Sequence, residues 1–78
     1  MGTGDEPLTK RELDVIRLLV AGLSNQAIAD QLGLSARTVQ VHVAKALSKT
    51  RTQSRTQLAV YALRRGLVPF EAEQEDQN

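Results

Sequence analysis

The sequence predicts an all-α domain of four short helices containing a helix-turn-helix. Three observations predict it. Apolar residues recur at three- and four-residue spacing, as in "LDVIRLLV", and no segment of any length alternates like a strand. A serine or threonine suited to cap a helix, Thr9, Ser24, Ser35 or Ser54, precedes each such stretch. Glycine follows three of them, at Gly22, Gly33 and Gly66. At 78 residues the chain is one domain. A chain this short hides only about 60% of its unfolded surface, so its core is small.

The elements follow in order. "LTKRE" is a capping box, with Thr9 as N-cap and Glu12 three residues on, so a first helix covers roughly 10–21. Ser24 caps a short second helix running to Leu32, and Gly33 ends it. Ser35 caps the third helix, 36–49. Ser54 caps the fourth, with Gln57 as its box partner, and Pro69 forbids an early restart after Gly66. Residues 1–7 read as a flexible linker and 8–68 as the folded domain. The tail 69–78, "PFEAEQEDQN", is acidic and low in hydropathy, and is expected to be disordered.

Composition narrows the function. With no cysteine there is neither a disulfide framework nor a thiolate metal site. The single histidine, His42, cannot build a metal site alone, and no cofactor is expected. An enzyme is the least favoured class: there is no glycine-rich phosphate loop and no carboxylate pair near His42. The longest apolar runs, 18–23 and 58–63, are far too short to span a membrane. The polar, acidic N-terminus does not read as a signal peptide, so a cytoplasmic protein is expected.

The net charge of +1 conceals an asymmetry. No acidic residue occurs between Gln31 and Phe70, a stretch that holds Arg37, Lys45, Lys49, Arg51, Arg55, Arg64 and Arg65. Such a run is often only solvated surface. Concentrated on one half of a small chain, it makes a basic face suited to a polyanion.

The third helix refines that face. Stepping 100° per residue, Val39, Val43, Ala46 and Leu47 share one side and should face the core. Val41 lies almost opposite, among Arg37, Ala44, Lys45 and Ser48. A β-branched apolar residue in the middle of a wet, basic face has a use in a DNA groove, where it can read the C5 methyl of thymine. The bland alternative is a stray exposed valine. Gln40, on one flank, can bond adenine bidentately. On the other flank Thr38, Lys45, Lys49 and His42 form a stripe of donors suited to phosphate oxygens. Packing against the second helix is an equal alternative for His42. The capped N-terminus at Ser35 offers a further phosphate seat, and Arg51 and Arg55 extend the basic face. The joint "ADQLGLSARTV", a short helix, a glycine turn and a capped second helix, has the pattern of a helix-turn-helix.

The fourth helix carries "LAVYAL", apolar in all directions. A helix apolar all round is covered on more than one side. Three other short helices cannot easily do this, whereas a second copy could, in a two-fold contact. Val60 and Leu63, on the side away from Leu58 and Ala62, are the expected anchors, with Arg64 beside them. The alternative is a half-exposed Tyr61 with Ala59 and Ala62 as small fillers.

"LTKRELDVIRLLVAGLSNQAIADQLGLSARTVQVHVAKALSK", followed by "SRTQLAVYALRRGLV", resembles the LuxR/FixJ-type helix-turn-helix domain of bacterial transcriptional regulators. The resemblance covers 8–68. It implies a four-helix fold, transcriptional regulation through double-stranded DNA, and a homodimer through the last helix, weak without DNA. RNA polymerase is a further partner consistent with it. It implies that Thr38 and His42 contact phosphates, while Gln40, Val41 and Ala44, with Arg37 beside them, approach bases. The chain departs from the family at Gln40, where a lysine is usual, and at Ala44, where some members are basic. Both departures imply a different preferred sequence and lower affinity. After Lys49 the family tends to have Leu-Gly-Val, whereas this chain has Thr50, Arg51 and Thr52. Two other readings remain: a sigma-factor-like helix-turn-helix region, and a helical protein-interaction module whose DNA binding has decayed.

Overall fold

The structure, a computed structural model, describes residues 6–68. The acidic tail and most of the N-terminal linker expected from the sequence lie outside them. Four helices follow in order: α1 (Lys10–Val20), α2 (Asn25–Leu32), α3 (Ala36–Thr50) and α4 (Arg55–Arg64). Each begins at the expected cap. Thr9 Oγ1 accepts from the Glu12 amide at 3.1 Å, and Glu12 Oε1 accepts from the Thr9 amide at 3.0 Å, closing the reciprocal box. Ser24 and Ser35 accept from the amides of Ala27 and Thr38. At Ser54 the box is displaced. Its hydroxyl accepts from the Gln57 amide, but the Gln57 side chain reaches one residue further out, to the Gln53 amide at 2.8 Å.

The turn between α2 and α3 follows from Gly33. Its φ of 70° is left-handed, a conformation that costs other residues steric strain. It lets the Leu34 amide donate back to Ala29 at 2.9 Å, so α2 stops and α3 starts on a new axis. The corresponding turn after α3 is made without glycine. Arg51 takes φ 60°, at the position where the family's usual Leu-Gly-Val would supply a glycine. The neighbouring threonines compensate for their polarity. Thr50 is buried, with Oγ1 donating to the Ala46 carbonyl at 2.8 Å and lying 2.8 Å from Thr52 Oγ1.

Helices α1 and α3 pack together centrally; α2 and α4 each contact both of them. The core is Val15, Ile16, Leu18 and Leu19 of α1, Ile28 and Ala29 of α2, Val39, Val43 and Ala46 of α3, and Leu58 and Ala62 of α4, closed by Val68. The expected inner side of α3 is therefore inside, with Leu47 packed at its edge. Among the described residues no helix is long and apolar enough to cross a membrane.

Candidate nucleic-acid interface

The outer side of α3 is built by subtraction. Burying Val39, Val43 and Ala46 leaves Arg37, Gln40, Val41, Ala44, Lys45 and Ser48 exposed on the opposite side. Val41 is 46% exposed, the most exposed of the large apolar side chains among the described residues. Among the described residues neither Arg37 nor Lys45 has an ion-pair partner. The face continues onto the start of α1, where Glu6, Thr9 and Glu12 complete an open groove with Val41, Ala44, Lys45, Ser48 and Lys49. Sequence reasoning missed Thr9 here, because its capping role gave no sign that the start of α1 lies beside the outer side of α3.

The N-terminal end of α3 holds two linked hydroxyls. Ser35 Oγ donates to Thr38 Oγ1 at 3.0 Å while accepting from the Thr38 amide. Ser35 is exposed and Thr38 half-buried. His42 is also half-buried, and its Nδ1 is buried without a hydrogen-bond partner. The imidazole is thus partly enclosed by the fold.

Two cations expected on phosphates are placed differently. Lys49 Nζ lies 2.8 Å from Glu12 Oε1 and donates to the Pro7 carbonyl at 3.2 Å; its side chain is 10% exposed and that of Glu12 is 3%. In this structure the ammonium is thus engaged within the fold. It ties the C-terminal end of α3 to the start of α1. Arg55 is likewise engaged within the fold. Its guanidinium donates to Asn25 Oδ1 at 2.7 Å and to the Leu23 carbonyl at 2.8 Å, bridging α4 to the start of α2. Arg51 remains at the surface. The described portion of the basic half is thus divided between side chains that hold the helices in register and side chains turned outward.

Burial alone would raise the Glu12 carboxyl pKa. The hydrogen bond from Lys49, that from the Thr9 amide and the Lys49 charge outweigh it, so the pKa lies below the ordinary glutamate value. A folded-state value below the unfolded one means that the unfolded chain binds the proton more readily. The pair's stabilisation is then complete above the unfolded pKa and disappears as pH falls through the folded one. Melting temperature should therefore drop on the acid side, and Glu12→Gln should make that part of the profile shallower. An unchanged profile, followed by circular dichroism, would show that Glu12 titrates alike in both states.

The sequence pattern of bacterial regulatory proteins of the luxR family (GerE) matches residues 6–62. Over 63 residues the chain is 48% identical to the transcriptional regulatory protein YxjL of Bacillus subtilis, covering 81% of this chain and 29% of that protein. It is 41% identical over 63 residues to the response regulator protein VraR of Staphylococcus aureus, covering 81% of this chain and 30% of that one. A match of the same extent is found with VraR of Staphylococcus saprophyticus. The chain spans less than a third of the length of these relatives.

Proposed function

This chain belongs to the luxR family of bacterial regulatory proteins, and we propose that it places α3 in the major groove of double-stranded DNA and reads sequence there. The observation that carries this reading is the outer side of α3. A 46% exposed Val41 sits between Arg37 and Lys45 on a helix without a single acidic residue. Membership of a regulatory family supports DNA as the polyanion. In this arrangement Arg37, Gln40, Val41 and Ala44 approach base edges, where Val41 meets thymine methyls and Gln40 bonds adenine. Ser35, Thr38, His42, Lys45 and Arg51 hold phosphates, which set the register without reading sequence. The chain acts as the output domain of a regulator, and transcription is the process it controls.

The test is a binding titration on duplex DNA over a salt series. Each phosphate contact contributes about −0.9 to the logarithmic salt slope. Lys45→Ala should weaken binding to all sequences alike and flatten the slope by about one unit. A parent chain with no measurable affinity for duplex DNA at low salt would refute the reading. An unchanged slope in the variant would remove only Lys45 from the phosphate set.

Two copies bind paired half-sites through α4. Val60 and Leu63 are 42% and 39% exposed, on the side of α4 away from buried Leu58 and Ala62, with exposed Arg64 beside them. One short helix against its copy hides well below the ~1,200 Å² of a stable interface, so pairing is weak in solution and is assisted by DNA. Leu63→Glu should keep the helical circular dichroism and abolish cooperativity on a paired site. Retained cooperativity in that folded variant would move the contact elsewhere.

A further inference from the structure

Beside the α4 dimer face lies an open groove of about 440 Å³, lined by Thr56, Gln57, Val60, Tyr61, Arg64 and Arg65. Its floor is apolar at Val60 and Tyr61, and its end is cationic. The Arg65 guanidinium sits 4.8 Å from the centre of the Tyr61 ring, which holds that charge at the groove instead of releasing it to solvent. Among the described residues Arg64 has no ion-pair partner. No residue from Gln31 to Phe70 is acidic, so neither α3 nor α4 supplies a counter-charge.

The chain does supply one immediately afterwards. Gly66 takes a left-handed φ of 69°, and the Leu67 amide donates back to the Ala62 carbonyl at 2.9 Å, turning the chain at the end of α4. Val68, the last described residue, is buried in the core, three residues along the chain from Arg65. Phe70, Glu71, Glu73, Glu75 and Asp76 follow, with no basic residue among 69–78. Glu71 is six residues beyond Arg65, a reach of up to about 20 Å. One aromatic residue followed by alternating carboxylates matches a groove with an apolar floor and a cationic end.

We propose that residues 70–76 dock in this groove in cis, Phe70 against Val60 and Tyr61, the carboxylates on Arg64 and Arg65. The docked segment covers Val60 and Arg64, two of the three residues of the face assigned above to the second copy. It is a built-in competitor of dimerisation, and this consequence rests on the α4 reading; the docking itself does not.

The test compares the full chain with its E71Q/E73Q/E75Q/D76N variant, which keeps every core residue. Amide resonances of ¹⁵N-labelled protein are recorded at a concentration where sedimentation shows monomer. Residues 56–65 should shift between the two. So should the fluorescence of Tyr61, which is the chain's one tyrosine, with no tryptophan to mask it. A synthetic peptide of residues 69–78, added to a chain ending at Val68, should restore the parent positions at low salt and fail at high salt. Self-association should tighten in the neutral variant on the order of tenfold, the scale that a few exposed ion pairs supply. Identical resonances for residues 56–65 in parent and variant would overturn the docking. So would shifts confined to Arg37 and Lys45, which would put the tail on the DNA-facing side. Shifts that grow with protein concentration would give the groove to a second copy and overturn it too. Docking shifts without any change in association would retain the docked tail and refute its effect on dimerisation.

Discussion

Lys49→Ala should cost the domain about 3–5 kcal/mol, the usual loss when one partner of a buried ion pair is removed. The Glu12 side chain, 3% exposed in the parent, loses its cation, and the Pro7 carbonyl loses a donor. Small domains have about 5 kcal/mol in total at the lower end, so much of the population should unfold near room temperature. Thermal and guanidinium unfolding followed by circular dichroism measure this directly. Glu12→Gln combined with Lys49→Met should recover part of the loss. The amide still accepts the Thr9 N–H of the capping box, and no uncompensated charge stays inside. A Lys49→Ala protein that melts with the parent while its salt slope on DNA falls by one unit would return Lys49 to the phosphate contacts.

Gln40→Ala should leave folding untouched, because the side chain is exposed on the outer side of α3. Its effect falls on DNA: a loss of about 1–3 kcal/mol for the preferred base pair, and tolerance of other bases at that position. Val41→Ala should cost less and reduce thymine preference, since only methyl contact is lost. Selection of binding sites from a random duplex pool reads both effects. A Gln40→Ala domain that selects the parent's motif with equal stringency would show that this residue does not read bases.

The difference between Gln40 and Lys49 shows how far the sequence was legible. Both lie on flanks of the same helix, and both are polar in a basic stretch. Periodicity placed them correctly around the α3 axis, as it placed Val41 outside and Val39 inside. It could not say what stands opposite each flank. Beyond Lys49 stands Glu12, 37 residues earlier in the chain, whose visible role was to close a capping box. Arg55 is the same case. Its partners Asn25 and Leu23 lie 30 and 32 residues away, and nothing local to "SRTQ" announces them. At Thr50 the error would have run the other way. A hydroxyl at a core-type position reads as a defect until its donation to the Ala46 carbonyl is seen.

The sequence by itself determined the four helices, their caps, the Gly33 turn and the side of α3 left to solvent. These depend on interactions within a few residues: a hydroxyl reaching an amide three positions on, a left-handed glycine, an apolar repeat near the helical period. Only the tertiary structure decided which cations stay available to a partner. A charge costs free energy to bury unless an opposite charge or an acceptor meets it, and whether one does depends on which distant helix ends the packing brings together. Lys49 and Arg55 met such groups at the starts of α1 and α2; among the described residues Arg37 and Lys45, on the outer side of α3, did not.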